Sequence, residues 1–287
     1  MEHYDILIVG GGAAGIAAAK ECIGLKVLLV DRKPKLGGVL LQCTHHGFGN
    51  NQSGIEYAEE LTADFPEDIT LALNTAVLWV SRDKTALLSG KEFGRKEISF
   101  SQLILAAGCR EIPAGALPIA GTRPKGIYTA GQMQERMNLH GMIPEGPAVI
   151  LGSGDLGLIM AKQLAQAGLG VTLIEKLSHC GGTTRNRKCL QEYPIKLLCN
   201  ATVTEVMGTK HLESVVISDR MQLPCKTLLI AAGLRPEREL VEGLGNPEWL
   251  HICGNCNTVH PIVEAVTEEG QQAGIAAVEN WKVSYDR

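Results

Sequence analysis

Residues 5–21 read DILIVGGGAAGIAAAKE, and residues 148–167 read AVILGSGDLGLIMAKQLAQA. Each stretch opens on a short apolar run, passes through G-x-G-x-x-G, and enters a segment with helical spacing, Ile16–Cys22 in one copy and Leu158–Ala167 in the other. That order predicts strand, tight turn and helix twice over. Each copy then carries a second apolar run ending in an acid. KVLLVDR reaches Asp31, 21 residues after Gly10, and GVTLIEK reaches Glu175, 23 residues after Gly152. One glycine-rich turn alone is a weak signal. Two such turns, each between strand and helix with an acid about 20 residues on, are a specific one.

The spacing has a physical reading. Gly10 and Gly152 permit the tight turn, Gly12 and Gly154 let the backbone approach a pyrophosphate, and Gly15 and Gly157 let helix and strand pack closely. The helices, opened by Ala13-Ala14 and by Asp155-Leu156, present free N–H groups and positive dipoles to the phosphates. Asp31 and Glu175 are placed to accept from an adenosine ribose diol. LILAAG (103–108) and LLIAAG (228–233) are strands that close the two modules and place Ala107, Gly108 and Gly233 at the turns. Between Asp31 and the first closing strand, Ser53-Gly54-Ile55-Glu56 is a capping box that opens a helix to about Phe65. ITLALNTAVLWV (69–80) and KTALLSG (84–90) read as strands.

Bulk composition agrees with a packed α/β protein. Hydrophobic residues make up 45% of the 287 and charged residues 20%, enough for a core in each half. The net charge is −4 with no long basic run, which argues against nucleic-acid binding. No apolar stretch reaches the ~20 residues that span a bilayer. The apolar N-terminus lacks the basic flank of a signal peptide and is broken by Gly10-Gly11-Gly12. Nine cysteines at irregular spacing suggest free thiols in a reducing cytoplasm, not a secreted disulfide framework.

The order of first fingerprint, LILAAGCREIP, second fingerprint, LLIAAGLRPE and HICGN resembles the pyridine nucleotide–disulfide oxidoreductase superfamily, especially its compact thioredoxin-reductase-like members. LPIAGTRPKGIYTAGQMQERMN (117–138) and GSGDLGLIMA (152–161) resemble the flavoprotein subunits of opine, sarcosine and hydrogen cyanide-forming dehydrogenases. They also resemble small FAD/NAD proteins that accompany glycerol-3-phosphate dehydrogenase-like partners. The resemblance implies FAD on the first fingerprint, with Arg32, Gly38, Gly254, Asn255, His260 and Pro261 contributing, and NAD(P)H on the second. It implies domains at 1–117 and 238–287 for FAD and 118–237, inserted, for the nucleotide. Only 51 residues follow Pro236, so no large C-terminal dimerisation domain is expected.

The sequence departs from that pattern in three places. Disulfide reductases carry C-x4-C after the second strand, whereas GGVLLQCTHHGFG (37–49) holds Cys43 alone, and residues 118–237 contain no C-x-x-C. The ribitol-binding acid is replaced by Asn255, whose amide oxygen can still accept from a hydroxyl. Ile159 stands where relatives often carry glutamate. Candidate reactive groups are therefore few. Cys253 and Cys256 form the C-x-x-C, either a redox dithiol activated at a helix N-terminus or two packing residues in a tight turn. His45 and His46 follow Gly37-Gly38 and could move a proton or bind substrate, or be loop residues. Pro261 is a good first residue for a helix over residues 260–279. Cys22, Cys109, Cys180, Cys189, Cys199 and Cys225 read as core or surface thiols. The expected function is a FAD-dependent oxidoreductase, using NADH in preference to NADPH. It would pass electrons to a small acceptor, a partner flavoprotein or an iron–sulfur protein within an oligomer. The alternative is a non-catalytic cofactor-binding subunit.

Overall fold

The computed structural model describes residues 1–218 and 221–285. The chain divides into two compact units, Met1–Arg110 with the segment from Arg235 onward, and Glu111–Leu234. The first unit opens with β1 (Glu2–Val9), α1 (Ala13–Glu21), β2 (Val27–Val30), α2 (Gly54–Ala63), β3 (Thr70–Ala72), β4 (Thr75–Val80), β5 (Thr85–Gly90) and β6 (Gly94–Leu105). The second holds β7 (Ile127–Thr129), α3 (Ala130–His140), β8 (Ala148–Leu151), α4 (Asp155–Gln166), β9 (Val171–Ile174), β10 (Ile195–Leu198), β11 (Val203–Gly208), β12 (Leu212–Ile217), β13 (Met221–Pro224) and β14 (Thr227–Ile230). The returning segment adds β15 (Leu250–Ile252) and α5 (Val263–Tyr285) to the first unit.

The two sheets repeat one strand order. In the first, β3, β2, β1 and β6 lie side by side, with β15 parallel to β6 through Leu250 opposite Leu103. In the second, β10, β9, β8, β14 and β7 do the same, all parallel. Each sheet is covered on both faces, so its strands read as unbroken apolar runs. In the first unit Ile6, Ile8, Val27, Leu29 and Ile104 face α1 and α5. Leu7, Leu28, Val30, Leu103 and Leu105 face the antiparallel arm of β4 and β5 and the segment around Val241 and Trp249. In the second unit Ile150, Leu173 and Leu229 face α3 and α4, while Val149, Ile174 and Leu228 face the β11–β13 meander. Each fully buried Leu, Ile or Val contributes about 1.5–3 kcal/mol.

Packing explains the alanines of α1. A Cβ on Gly270 would lie 2.2 Å from Ala14 O, and one on Gly274 would lie 2.6 Å from Ala18 O. These glycines are one helical turn apart on one face of α5, so the two backbones touch there. α1 is buried over Ala13–Ala19, as a helix enclosed on all sides must be apolar.

Some boundaries differ from the sequence expectation. The units part at 110/111 and 234/235, against the expected 117/118 and 237/238; at the first of these, Ala114 and Leu117 pack against the core of the second unit. The stretch 69–80 is two strands, broken at Asn74, whose φ is +49°. α2 begins at the expected capping box but ends at Ala63, just ahead of Pro66. The last helix starts at Val263, so Pro261 is not its first residue. His260 is held outside it by two contacts: its N–H donates to Asn255 Oδ1 at 3.0 Å and its ring Nε2 lies 2.8 Å from Glu269 Oε1. Among the described residues, no helix is long and apolar enough to cross a membrane.

Candidate functional site: two dinucleotide cradles

The structure gives each fingerprint glycine a separate physical task, and gives it twice. Gly10 has φ +110° and Gly152 φ +107°; a Cβ on either would lie 2.3 Å from the carbonyl oxygen of Ala106 or Ala231, just past the closing strand. A Cβ on Gly15 would lie 1.8 Å from Gly10 O, and one on Gly157 2.2 Å from Gly152 O. Both positions are shut by the chain itself. The middle glycines differ. A Cβ on Gly154 would meet nothing within 4 Å, and one on Gly12 only Gly38 Cα at 4.0 Å. Nothing among the described residues requires those two to lack a side chain. The open space lies over the start of a helix whose N-cap residue, Gly12 or Gly154, makes no side-chain capping bond. Free N–H groups facing open space suit a pyrophosphate, so the residues present fit a dinucleotide in each unit.

The acids occupy equivalent places. Asp31 Oδ2 accepts from Gly11 N at 2.6 Å and Oδ1 from Lys33 N at 2.7 Å. Glu175 Oε2 accepts from Ser153 N at 2.9 Å and Oε1 from Leu177 N at 2.9 Å. The second copy adds one bond, from Ser153 Oγ to Glu175 Oε2 at 2.6 Å. Burial pulls the Glu175 pKa upward, but the donors of Leu177, Ser153 and Lys176 outweigh it, so the carboxyl sits below its ordinary range.

The two units share a third repeated feature. Gly37-Gly38 follows Asp31 after five residues, and Gly181-Gly182 follows Glu175 after five. Both pairs fold onto their fingerprints. Gly37 N donates to Gly11 O at 2.7 Å, and Gly181 N donates to Ser153 Oγ at 2.8 Å. The second pair is further tied by Asp155, whose Oδ1 accepts from Thr183 N at 2.7 Å, Thr183 Oγ1 at 2.8 Å and Asn186 Nδ2 at 2.6 Å. Burial raises the Asp155 pKa, yet those bonds and the Arg187 charge bring it below normal. Ala13 stands at the matching position of the first copy, so α1 has no acid in its first turn while α4 does.

The remaining candidates separate clearly. Cys43 is buried, its thiol pushed up to about 12 by burial and donating to Val39 O at 3.4 Å. It packs against Gly54, and its burial disfavours the thiolate. His46 is exposed at the start of a short strand, His46–Phe48, and the His45 ring tilts against Phe48 at 5.2 Å. Arg32 is exposed beside Asp31. Ala107 and Gly108 follow β6, Gly108 with φ +76°, and Gly233 repeats that turn with φ +118°. Leu156, in the first turn of α4, packs against the core of the second unit.

Cys253 and Cys256 are both buried and both donate to Leu105 O, at 3.8 and 2.9 Å. Burial raises both thiols, the reverse of the lowering expected at a helix N-terminus. α5 starts seven residues beyond Cys256, so its dipole does not reach them. Gly254, between them, has φ +65°, donates its N–H to Glu269 Oε2 at 2.8 Å, and lies where a Cβ would come 2.8 Å from Ala14 Cβ. Glu269 also holds His260, beside a cavity of about 590 Å³ lined in part by His251, Asn257 and Gln272.

The signature of pyridine nucleotide-disulphide oxidoreductases matches residues 4–249. The chain belongs to that family. It is a Rossmann-type flavoprotein oxidoreductase family, and the duplicated cradle is its shared architecture here. Among curated relatives, an opine oxidase subunit from Agrobacterium tumefaciens is 26% identical across 85% of this chain and 55% of its own length. Hydrogen cyanide synthase subunit HcnB from Pseudomonas protegens is 33% identical across 83% of this chain and 58% of its own. The chain thus spans a little over half the length of these relatives. The Lactococcus lactis thioredoxin reductase structure superposes with a TM-score of 0.81 at 18% identity, covering 98% of this chain and 99% of that one. That match establishes the fold over nearly the whole chain.

Proposed function

We propose that this protein is a FAD-dependent oxidoreductase that takes a hydride from NADH and passes electrons to a partner protein or small acceptor. The observation that carries this reading is the pair of cradles, each with a shut first and third glycine and an open middle one. The first cradle is the better anion site: Gly12 caps α1 without a side-chain bond and no acid enters the first turn. It is read as the seat of the resident FAD, with Asp31 accepting from the adenosine ribose. Gly38, Gly108 and the Gly254-Asn255 turn are read as flanking the same dinucleotide. The second cradle, with Glu175, is read as the exchangeable NADH site. The ionised Glu175 would repel a 2′-phosphate, which favours NADH over NADPH.

When bound, the flavin supplies the hydride and electron chemistry, and the protein supplies binding, orientation and electrostatics. No thiolate is required of the chain itself. The names of the relatives, both subunits of larger enzymes, support a protein partner as the electron acceptor. Anaerobic mixing of the purified yellow protein with NADH tests the reading. The visible flavin absorbance should bleach rapidly, and faster than with NADPH at equal low concentration. Asp31→Ala should purify with much of its FAD lost. A yellow protein inert to both nucleotides would instead be a non-catalytic component of a complex, and FMN as the only flavin released on denaturation would remove the role of Asp31.

A further inference from the structure

The two acids differ in how much of each carboxylate the chain has already used. A carboxylate offers about four acceptor positions. Asp31 receives one backbone N–H on each oxygen, which leaves one position on each for a ligand. Glu175 receives two donors on Oε2, the Ser153 N–H at 2.9 Å and the Ser153 hydroxyl at 2.6 Å, and the Leu177 N–H on Oε1, while the Lys176 N–H also acts on the carboxylate. Glu175 is 8% exposed and Ser153 0% exposed, so water does not compete for these bonds. The Ser153 hydroxyl is itself fixed, because its oxygen accepts from Gly181 N at 2.8 Å while its hydrogen goes to Glu175. Gly11 fills the same place in the first copy and offers no side chain.

We infer that Ser153 sets ribose recognition at the second cradle: by filling Oε2 it leaves Glu175 at most one acceptor position, on Oε1. The adenosine ribose there is held by no more than one hydroxyl, whereas Asp31 in the first cradle can take both. This rests on the reading that the second cradle binds a pyridine nucleotide. It makes Ser153 a specificity-determining residue that acts through Glu175 and through the Gly181-Gly182 turn. A singly held ribose also suits a nucleotide that must leave after each turnover.

The test is calorimetric titration of the FAD-loaded protein with ADP, 2′-deoxy-ADP and 3′-deoxy-ADP. For the wild type, one of the two deoxy analogues should bind as ADP does, and the other should bind about tenfold more weakly, worth about 1.4 kcal/mol. In Ser153→Gly, which copies the first cradle, both analogues should bind about tenfold more weakly than ADP, and ADP itself should bind several-fold more tightly than to wild type. Ser153→Thr, which retains the hydroxyl, should keep the wild-type pattern, and a melting curve for each variant confirms folding. Ser153→Ala repeats the measurement with the Cβ kept, should glycine loosen the turn. Wild-type protein that loses affinity with both analogues already uses two hydroxyls, and the inference fails. Ser153→Gly and Ser153→Ala that both keep the wild-type pattern also overturn it. Failure of the flavin-loaded wild type to bind ADP at all is a separate result: it removes the nucleotide reading of the second cradle and this inference with it.

Discussion

Gly11 and Ser153 sit at the same step of the same turn, and what surrounds them shows which parts of a dinucleotide cradle are fixed by the backbone and which are free to vary. The first and third glycines meet the same carbonyls at nearly the same distances in both copies. The acid reaches the same backbone N–H groups in both. Leu156 for Ala14 is a packing difference; the polar differences are Ser153 for Gly11, Asp155 for Ala13, and Glu175 for Asp31. Geometry is thus repeated while electrostatics diverge, toward an open positive helix end in one unit and a helix end carrying its own anion in the other.

The largest effect should come from breaking what the copies share. Gly15→Ala and Gly157→Ala place a methyl 1.8 and 2.2 Å from a backbone oxygen, so turn and helix must part. We expect a loss of about 3 kcal/mol and melting lowered by roughly 6–12 °C, with loss of the dinucleotide in that unit. Gly12→Ala and Gly154→Ala should cost under about 1 kcal/mol of stability yet weaken dinucleotide binding by tenfold or more. Differential scanning calorimetry of the flavin-free protein, with flavin content measured separately, separates the two classes. Equal melting losses at all four positions would make the middle glycines structural and remove the best evidence for a ligand there.

That division also explains what could be read in advance. The fingerprints, the closing strands and the capping box at Ser53 were legible because each is a local demand on a few consecutive residues. The second glycine pair is equally legible, since Gly181-Gly182 repeats the spacing of Gly37-Gly38 from the preceding acid. The Ser153–Glu175 bond was not legible. It depends on a side-chain direction set by a turn 28 residues away, at Gly181. For Cys253 and Cys256 the sequence left a dithiol and a packing role both open, and their burial depends on β15 pairing beside β6 so that both sulfurs meet Leu105 O. The start of α5 was misplaced for the same reason: Pro261 is a local signal, and the contacts of His260 with Asn255 and Glu269 overrode it.

A smaller effect should distinguish the copies by pH. Asp155 is held below its ordinary pKa in the folded protein. A depressed folded value means the stabilisation is present above the unfolded carboxylate range, near pH 4, and is lost as pH falls through the still lower folded value. Asp155→Asn should therefore lower melting at pH 7 by a few degrees, for about 1 kcal/mol of charge-assisted hydrogen bonding. The gap from wild type should shrink as pH drops below about 4. Hydrogen exchange should show the Thr183 amide, which donates to Asp155, losing protection over the same interval. Ala13→Gly in the first copy, with no carboxylate to titrate, should show a melting difference from wild type that is flat across that range. A constant gap for Asp155→Asn would mean the carboxylate charge contributes nothing to holding the second turn.

The smallest effect is expected at a turn of the first unit that the second does not repeat. In the second unit the strand next to the closing strand, β7, leads straight into α3 through Thr129, which caps it in a capping box with Gln132. In the first unit β15 leads into Cys253-Gly254-Asn255-Cys256 before α5 begins. A dithiol here would need a thiolate to attack or to exchange. Both sulfurs are instead buried, both thiols are raised by burial, and both point at one carbonyl. Serine at either position can still donate to Leu105 O, so the Cys253→Ser, Cys256→Ser double variant should lose only about 1–2 kcal/mol of stability from its more polar buried groups. Its NADH-dependent flavin reduction and its reduction of artificial dyes should stay within about twofold of wild type. Rapid mixing on variant protein with normal FAD content decides the point. A loss of ~100-fold in turnover, worth about 2.7 kcal/mol of barrier, would show that the pair takes part in electron transfer despite its burial.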